Sequence, residues 1–75
     1  MFDKNKFAGR VQSLRKSIDL NQQQLAGAIG VTKSTISRIE SASRAASIEI
    51  IYALANYFDV SIDYLVGRSD DLKRY

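Results

Sequence analysis

Eight consecutive residues, KSTISRIE from Lys33 to Glu40, combine cationic and hydroxyl side chains with two isoleucines. On a helix, residues three and four apart share a face, so the isoleucines and most of the polar side chains lie on opposite sides. The polar face comprises Lys33, Ser34, Ser37 and Arg38. Lysine and arginine suit the O6 and N7 acceptors of guanine, and serine hydroxyls reach a base or a phosphate. Any solvent-exposed helix also carries such residues, so their context must decide their role.

The residue types that the chain lacks restrict its chemistry. Its 75 residues include no His and no Cys, so the commonest general base, the usual thiolate nucleophile and the usual zinc ligands are absent. A chain this short forms one small domain with little room for a substrate pocket. We therefore expect no catalytic residue, no metal, no cofactor and no small-molecule substrate. The lack of clustered carboxylates further disfavours a nucleic-acid-processing enzyme.

Hydropathy gives no reason to expect contact with a membrane. The sequence has no apolar run of the roughly 18 to 20 residues that cross a bilayer. Its first nine residues also lack the basic start and apolar centre of a signal peptide. We expect a cytoplasmic protein.

Charge is distributed unevenly along the chain. Residues 1–46 hold eight Lys and Arg against three acidic residues, a net charge of +5, whereas residues 47–75 hold three against five, a net charge of −2. A basic half joined to a mildly acidic half suggests one face for a polyanion and another for a different contact.

Apolar periodicity and capping residues predict five helices. The predicted spans are 4–17, 22–29, 33–40, 48–58 and 62–66, with residues 41–46 as a loop. Asn21, Thr32, Ser47 and Ser61 are suitable N-caps, and Asn21 with Gln24 has the form of a capping box. Gly30 and Gly67 end two of the helices. We predict a domain over residues 1–67 and a short, frayed polar tail over residues 68–75.

Two apolar stripes are expected to supply most of the core. The first helix contributes Phe7, Val11, Leu14 and Ile18, and the fourth contributes Ile48, Ile51, Leu54, Ala55 and Phe58.

The stretch from Gln22 to Glu40 has the spacing of a helix-turn-helix. Two helices that cross at about 90 to 120° over a short turn need a small residue at their contact, a glycine at the corner and apolar anchors on both arms. Ala26, Gly30 and the pair Ile36 and Ile39 meet these needs. Two core helices joined by a glycine turn satisfy part of the same pattern.

The flanking motifs distinguish these alternatives, because the chain resembles the Cro/C1-type helix-turn-helix family of phage repressors and bacterial regulators. The resemblance runs from Phe7 to Gly67 and rests on four motifs in order: Leu14-Arg15, a Gln-x-x-Leu-Ala start at Gln22, Ser-x-x-Ser-Arg-Ile-Glu from Ser34 to Glu40, and Asp-Tyr-Leu-Val-Gly from Asp63. It implies an all-α, compact five-helix, lambda-repressor-like DNA-binding domain whose helix-turn-helix is formed by helices 2 and 3.

The resemblance also implies roles for individual residues. Helix 3 would lie in the major groove and read bases through Lys33, Ser34, Ser37 and Arg38. Helix 2 would direct its N-terminus at the DNA backbone, where N–H groups and the helix dipole attract phosphate. The predicted phosphate contacts are Gln22, Gln23, Thr32, Thr35, Ser43, Arg44 and Arg10. A polar turn is the alternative for the glutamine run, and a solvated side chain is the alternative for Arg10.

Two further features follow from the resemblance. Arg15 and Glu40 match a partly buried ion pair that ties helix 1 to the end of helix 3 in the family. The last helix serves twofold association there, and the apolar residues Ile62, Tyr64 and Val66 exceed what a small core can cover, so they form the predicted dimer surface.

One departure from the family lies in the loop after Glu40, which lacks the usual Gly and Pro. Ala42 must therefore adopt a left-handed conformation, or the loop must take another path.

The sequence predicts a sequence-specific transcriptional regulator, most plausibly a repressor, that binds a double-stranded DNA operator as a homodimer. The alternative is a helical interaction module of the same fold, an antitoxin or adaptor, whose basic face binds an acidic protein.

Overall fold

Helix starts in this chain are encoded by side chains that accept backbone N–H groups. A computed structural model describes residues 2–44 and 46–72, within which it has five helices and no strand. They are α1 (Lys4–Ser17), α2 (Gln22–Ile29), α3 (Lys33–Glu40), α4 (Ile48–Phe58) and α5 (Ile62–Leu65). The prediction of an all-α, five-helix domain is confirmed. The bounds of α1 to α4 match the predicted spans, while α5 ends one residue early because Val66 is its C-cap.

Each helix begins with a side-chain cap. The predicted caps Asn21, Thr32, Ser47 and Ser61 accept N–H groups from the first turns of α2 to α5. The Asn21–Gln24 capping box is complete, with bonds of 2.7 and 2.9 Å. Asp3, which we did not predict as a cap, does the same for α1. These bonds satisfy donors that a helix start otherwise leaves without partners.

Each helix also ends with one residue in the left-handed conformation. These residues are Asp19, Gly30, Ala42, Asp59 and Gly67. The residue after each one donates its backbone N–H to the carbonyl five residues back, as Leu20 does to Arg15 at 3.2 Å. This hydrogen bond is the mark of the Schellman motif, which satisfies a terminal carbonyl and turns the chain sharply. Only two of the five positions are glycine, so three of these turns lacked a glycine signal.

The core lies where α1 to α5 meet, with Phe7, Leu25, Ile36 and Leu54 among its fully buried side chains. Ile18 and Ile48, expected in the core, are exposed, with Ile48 at 71%. Both stand at the end of an apolar stripe, Ile18 as the C-cap of α1 and Ile48 in the first turn of α4. Periodicity identifies the inward face of a helix but not how far its neighbours extend along that face.

The segment after α5 is folded back on the domain. The backbone N–H groups of Arg68 and Ser69 donate to the carbonyl of Asp63 at 2.7 and 3.1 Å. The carbonyl of Leu72 accepts from the N–H of Ser61 at 3.2 Å. The prediction of a frayed tail is therefore wrong for residues 68–72, because backbone hydrogen bonds hold them. Residues 73–75 lie outside the described part of the chain.

Candidate nucleic-acid interface

The pair α2 and α3 forms a helix-turn-helix around a tightly packed contact. Ala26 on α2 is completely buried, as are Ile36 and Ile39 on α3. Gly30 adopts φ +78° at the corner, and the N–H of Val31 donates to the carbonyl of Ala26 at 2.9 Å. The small side chain, the left-handed glycine and the apolar anchors therefore occupy the positions that the motif requires.

The outer face of α3 is polar and exposed. All four side chains predicted to read bases, Lys33, Ser34, Ser37 and Arg38, are exposed there. Within the described residues, the structure assigns none of these side chains a hydrogen bond or ion pair. Their donors are thus available to an external ligand, and the buried isoleucines on the opposite face fix the orientation of α3.

The start of α2 combines a capped helix end with a link to α3. Gln22 is half-buried and donates its Nε2 to Glu40 Oε1 at 3.2 Å, whereas Gln23 is exposed. An amide group carries two N–H donors, so one donor of Gln22 remains beyond the bond to Glu40. Sequence reasoning selected Gln22 as a phosphate contact and missed its contact with the end of α3.

The turn into α3 contains two threonines that bond to each other. Thr32 Oγ1 accepts the N–H of Thr35 at 3.2 Å and lies 3.0 Å from Thr35 Oγ1. Both residues were predicted to contact phosphate. The structure places them side by side at the N-terminus of α3, with Thr32 exposed and Thr35 half-buried.

The loop after α3 is ordered by two serines instead of the glycine and proline typical of the resembled family. Ala42 adopts φ +60°, so the first of the two predicted alternatives is the correct one. The hydroxyls of Ser41 and Ser43 donate to the carbonyl of Arg38 at 3.1 and 3.2 Å, and the Ser43 N–H donates to it at 3.0 Å. Arg44 follows in an exposed position. The Ser43 hydroxyl, a predicted phosphate donor, therefore makes a contact within the chain.

Arg15 and Glu40 form a buried ion pair between α1 and the end of α3. Arg15 Nε lies 2.7 Å from Glu40 Oε2, and Nη2 lies 2.9 Å from Oε1. The side chains are 10% and 3% exposed. A third donor, Nη1, binds the carbonyl of Leu20 at 2.7 Å. The hydrogen bond to Glu40 raises the pKa of Arg15 above its ordinary value, so the guanidinium stays charged.

Arg10 on α1 binds α5 and the residues that follow it. Its guanidinium binds the carbonyls of Tyr64 and Ser69 and the carboxylate of Asp70, and it lies over the Tyr64 ring. The structure thus directs three N–H donors of Arg10 at residues 64 to 70, and the contact of Arg10 with phosphate stays a prediction. The acceptors include two backbone carbonyls, which no sequence motif identifies.

The predicted dimer surface is only partly exposed. Ile62 is exposed, whereas Tyr64 and Val66 are partly buried against the core. Tyr64 is further covered by Arg10, whose Cζ lies 4.0 Å from the ring centre. The apolar excess on α5 is thus smaller than the sequence suggested. Leu72, which the sequence reasoning placed in a polar tail, is also exposed and lies near the start of α5.

Two other kinds of site are absent from the described ranges, 2–44 and 46–72. No group of three or more His, Cys, Asp or Glu residues there is arranged to hold a metal ion. No helix in this part of the chain has both the length and the hydropathy needed to span a bilayer.

Comparison with known proteins assigns the fold to a family. Residues 11–65 match a family model described as helix-turn-helix. The chain belongs to the helix-turn-helix family. The matched range includes the whole of α2, α3, α4 and α5. The family match confirms the Cro/C1-type resemblance recognised in the sequence.

Relatives of this helix-turn-helix protein are named as regulators. An uncharacterized HTH-type transcriptional regulator of Bacillus subtilis, YobD, is 37% identical over 65 residues, covering 87% of this chain and 58% of YobD. The cryptic phage CTXphi transcriptional repressor RstR of Vibrio cholerae is 34% identical over 64 residues, covering 85% of this chain and 58% of RstR. The chain therefore spans little more than half the length of these relatives.

A solved structure extends the comparison to DNA. The P22 c2 repressor, crystallised in complex with a synthetic operator, has a TM-score of 0.79 and 27% sequence identity to this helix-turn-helix protein. The match covers 84% of this chain and 96% of that chain.

Proposed function

We propose that this protein binds double-stranded DNA in a sequence-specific manner and regulates transcription as a repressor. The observation that carries the proposal is the two-sided character of α3. Ile36 and Ile39 are completely buried on one side, and the exposed side is lined by polar donors with no assigned partner in the described chain. The similarity to the P22 c2 repressor in complex with an operator supports DNA as the ligand of that face.

Base reading is assigned to the polar face of α3. In a helix-turn-helix, this helix enters the major groove with its N-terminal side chains at the base edges. Arg38 is suited to bidentate pairing with guanine, and Lys33 suits the same acceptors. Ser34 and Ser37 would contact bases or adjacent phosphates.

Phosphate contacts are assigned to the residues that flank α3. Gln22 and Gln23 present donors at the start of α2, and Arg44 supplies an exposed cation after the loop. Thr32 and Thr35 stand at the start of α3, where N–H groups and the helix dipole favour an anion. Ser43 is better placed to order the loop than to donate to DNA, because its hydroxyl binds the Arg38 carbonyl.

A twofold dimer is the form in which we propose that the protein acts. One short recognition helix reads only a few base pairs, which is too few for useful selectivity. Two copies related by a twofold axis would read inverted half-sites with centres about 10 base pairs apart. Residues 1–67 form the DNA-binding domain in this proposal, and residues 68–75 form its C-terminal extension. The proposed protein is a cytoplasmic regulator without enzyme activity, membrane contact or cofactor.

Selection of bound sequences from random duplex DNA tests this proposal. We expect enrichment of an inverted repeat, and the affinity for it should fall with salt with a slope of about −0.9 per phosphate contact. Failure to enrich any sequence would contradict sequence-specific binding. Saturable binding of an acidic protein by the same face, with no duplex sequence enriched, would instead favour the interaction-module alternative.

A further inference from the structure

Arg10 makes hydrogen bonds to residues that lie 54 to 60 positions away in the sequence. Its Nη1 donates to the Tyr64 carbonyl at 2.6 Å and also to the Ser69 carbonyl, while Nη2 lies 2.6 Å from Asp70 Oδ1. The guanidinium also lies over the Tyr64 ring, 4.0 Å from its centre. These contacts join α1 to α5 and to the segment that follows. Arg10 therefore connects α1 with residues 64 to 70.

α5 depends on such contacts for its position. It has only four residues, and a helix of one turn is not stable on its own. Arg10 places a positive charge and a donor at the carbonyl of Tyr64, near the C-terminus of α5, where the helix dipole favours a cation. The orientation of α5 on α1 is consequently set by Arg10 together with the buried side chain of Leu65.

The segment after α5 folds back against this helix through backbone hydrogen bonds. The N–H groups of Arg68 and Ser69 donate to the Asp63 carbonyl, and the Leu72 carbonyl accepts from Ser61. Because Ser61 immediately precedes Ile62, this last bond brings residue 72 to the start of α5. Ile62 is 36% exposed and Leu72 is 50% exposed. The two apolar side chains thus belong to one end of the domain.

We propose that Arg10 is the positioning residue for a surface, formed by α5 and residues 68–72, that binds a second copy of this chain. The inference rests on the proposed twofold dimer and identifies what builds its contact surface. Besides Ile62 and Leu72, the surface carries exposed charges of both signs, at Asp63 and Arg68. Opposite charges on one patch favour a twofold contact, because the negative side chain of each copy can pair with the positive side chain of the other copy.

Sedimentation of the full 75-residue chain measures the effect of Arg10 on association. Arg10→Gln should raise the dimer dissociation constant about tenfold or more, because the charged fork that holds α5 is lost. Arg10→Lys should give a smaller increase, since it keeps the charge but cannot form the fork. Lys16→Gln is the matched control, because it removes an exposed positive charge from the same helix and should leave association unchanged.

A DNA measurement separates positioning from a general loss of stability. At a temperature where the variant is folded, Arg10→Gln should lower the ratio of full-operator to half-site affinity about tenfold and leave half-site affinity unchanged. Equal losses on both DNAs would overturn the inference. Leu72→Ser provides a second variant outside the core and should weaken association several-fold, even if Arg10→Gln does not fold.

The outcomes distinguish this inference from the proposed function. A wild-type chain that is monomeric both free and on a full operator would contradict the twofold dimer itself. A wild-type dimer whose association is unchanged in folded Arg10→Gln, or in Leu72→Ser, would overturn the inference and leave the twofold dimer intact.

Discussion

Two arginines on α1 hold two different parts of this domain in different ways. Arg15 ties α1 to the end of α3 through Glu40, and both side chains are almost fully buried. Arg10 ties α1 to α5 through two backbone carbonyls and Asp70, whose side chain is 90% exposed. A buried carboxylate makes the first connection sensitive to loss of either partner. The second connection has three acceptors, so loss of one acceptor leaves the others, and only loss of Arg10 removes them all.

The Arg15 connection was predictable from the sequence, and the Arg10 connection was not. Arg15 and Glu40 are side chains within motifs that resemble a known family, so the residues themselves point to the pair. The acceptors of Arg10 include carbonyls 54 and 59 residues away, and every residue type offers a carbonyl. The sequence therefore predicted phosphate contact or a solvated side chain for Arg10, and its contacts with residues 64 to 70 were missed.

Loss of the Arg15–Glu40 pair should have the largest effect on stability. Glu40→Ala leaves the Arg15 guanidinium poorly solvated, so we expect about 3 kcal/mol of destabilisation in chemical unfolding. Glu49→Ala, at an exposed position on α4, is the control and should cost less than about 1 kcal/mol. A double-mutant cycle with Arg15→Ala should show strong coupling. Additive losses would mean that the two side chains do not act together.

Reciprocal exchanges at two of the five left-handed turns should have smaller, opposite effects. Ala42 follows the end of α3, which Arg15 binds through Glu40. Gly67 follows α5, which Arg10 binds through the Tyr64 carbonyl. Ala42→Gly should stabilise the protein by about 1 kcal/mol, because glycine adopts positive φ without steric cost. Gly67→Ala should destabilise it by about 1 kcal/mol or more, because a side chain at φ +87° is strained. The new Cβ would also lie 2.6 Å from Lys6 Cδ, so the lysine side chain would have to shift.

Thermal unfolding measures both exchanges, and Ala28→Gly is the control for Ala42→Gly. Ala28 is exposed within α2, where glycine should cost about 1 kcal/mol. If Ala42→Gly and Ala28→Gly changed stability in the same direction, the left-handed strain at Ala42 would be refuted.

The smallest expected effect concerns acid pH at the exposed end of the Arg10 connection. The hydrogen bond from Arg10 lowers the pKa of Asp70 below its ordinary value. A lowered pKa means that the folded state favours the charged carboxylate, so its stabilisation is present at neutral pH and is lost as the pH falls through the folded-state pKa. The wild type should therefore lose slightly more stability than Asp70→Asn between pH 7 and about pH 3. Parallel curves for the two proteins would show that the contact contributes nothing.

Helix bounds were the part of the fold that the sequence predicted best, because caps such as Asn21 and Ser47 are local side-chain signals. The exposed side chain of Ile48 was not predictable, since it depends on where neighbouring helices end. The turn at Ala42 was anticipated only as one alternative, and the serine hydroxyls that order it bind a carbonyl without a sequence signature. Resemblance to a family supplied the polar face of α3 as a candidate site, and its contacts with DNA remain a prediction.

Binding of wild type and Arg38→Ala to the selected operator and to random duplex DNA tests the central claim most directly. Arg38 is exposed on α3 and suited to guanine. We expect Arg38→Ala to lose about 1 to 3 kcal/mol of operator binding while binding to random DNA and the salt slope stay nearly unchanged. Equal losses on both DNAs would contradict base reading by the recognition helix and would assign Arg38 to the phosphate backbone.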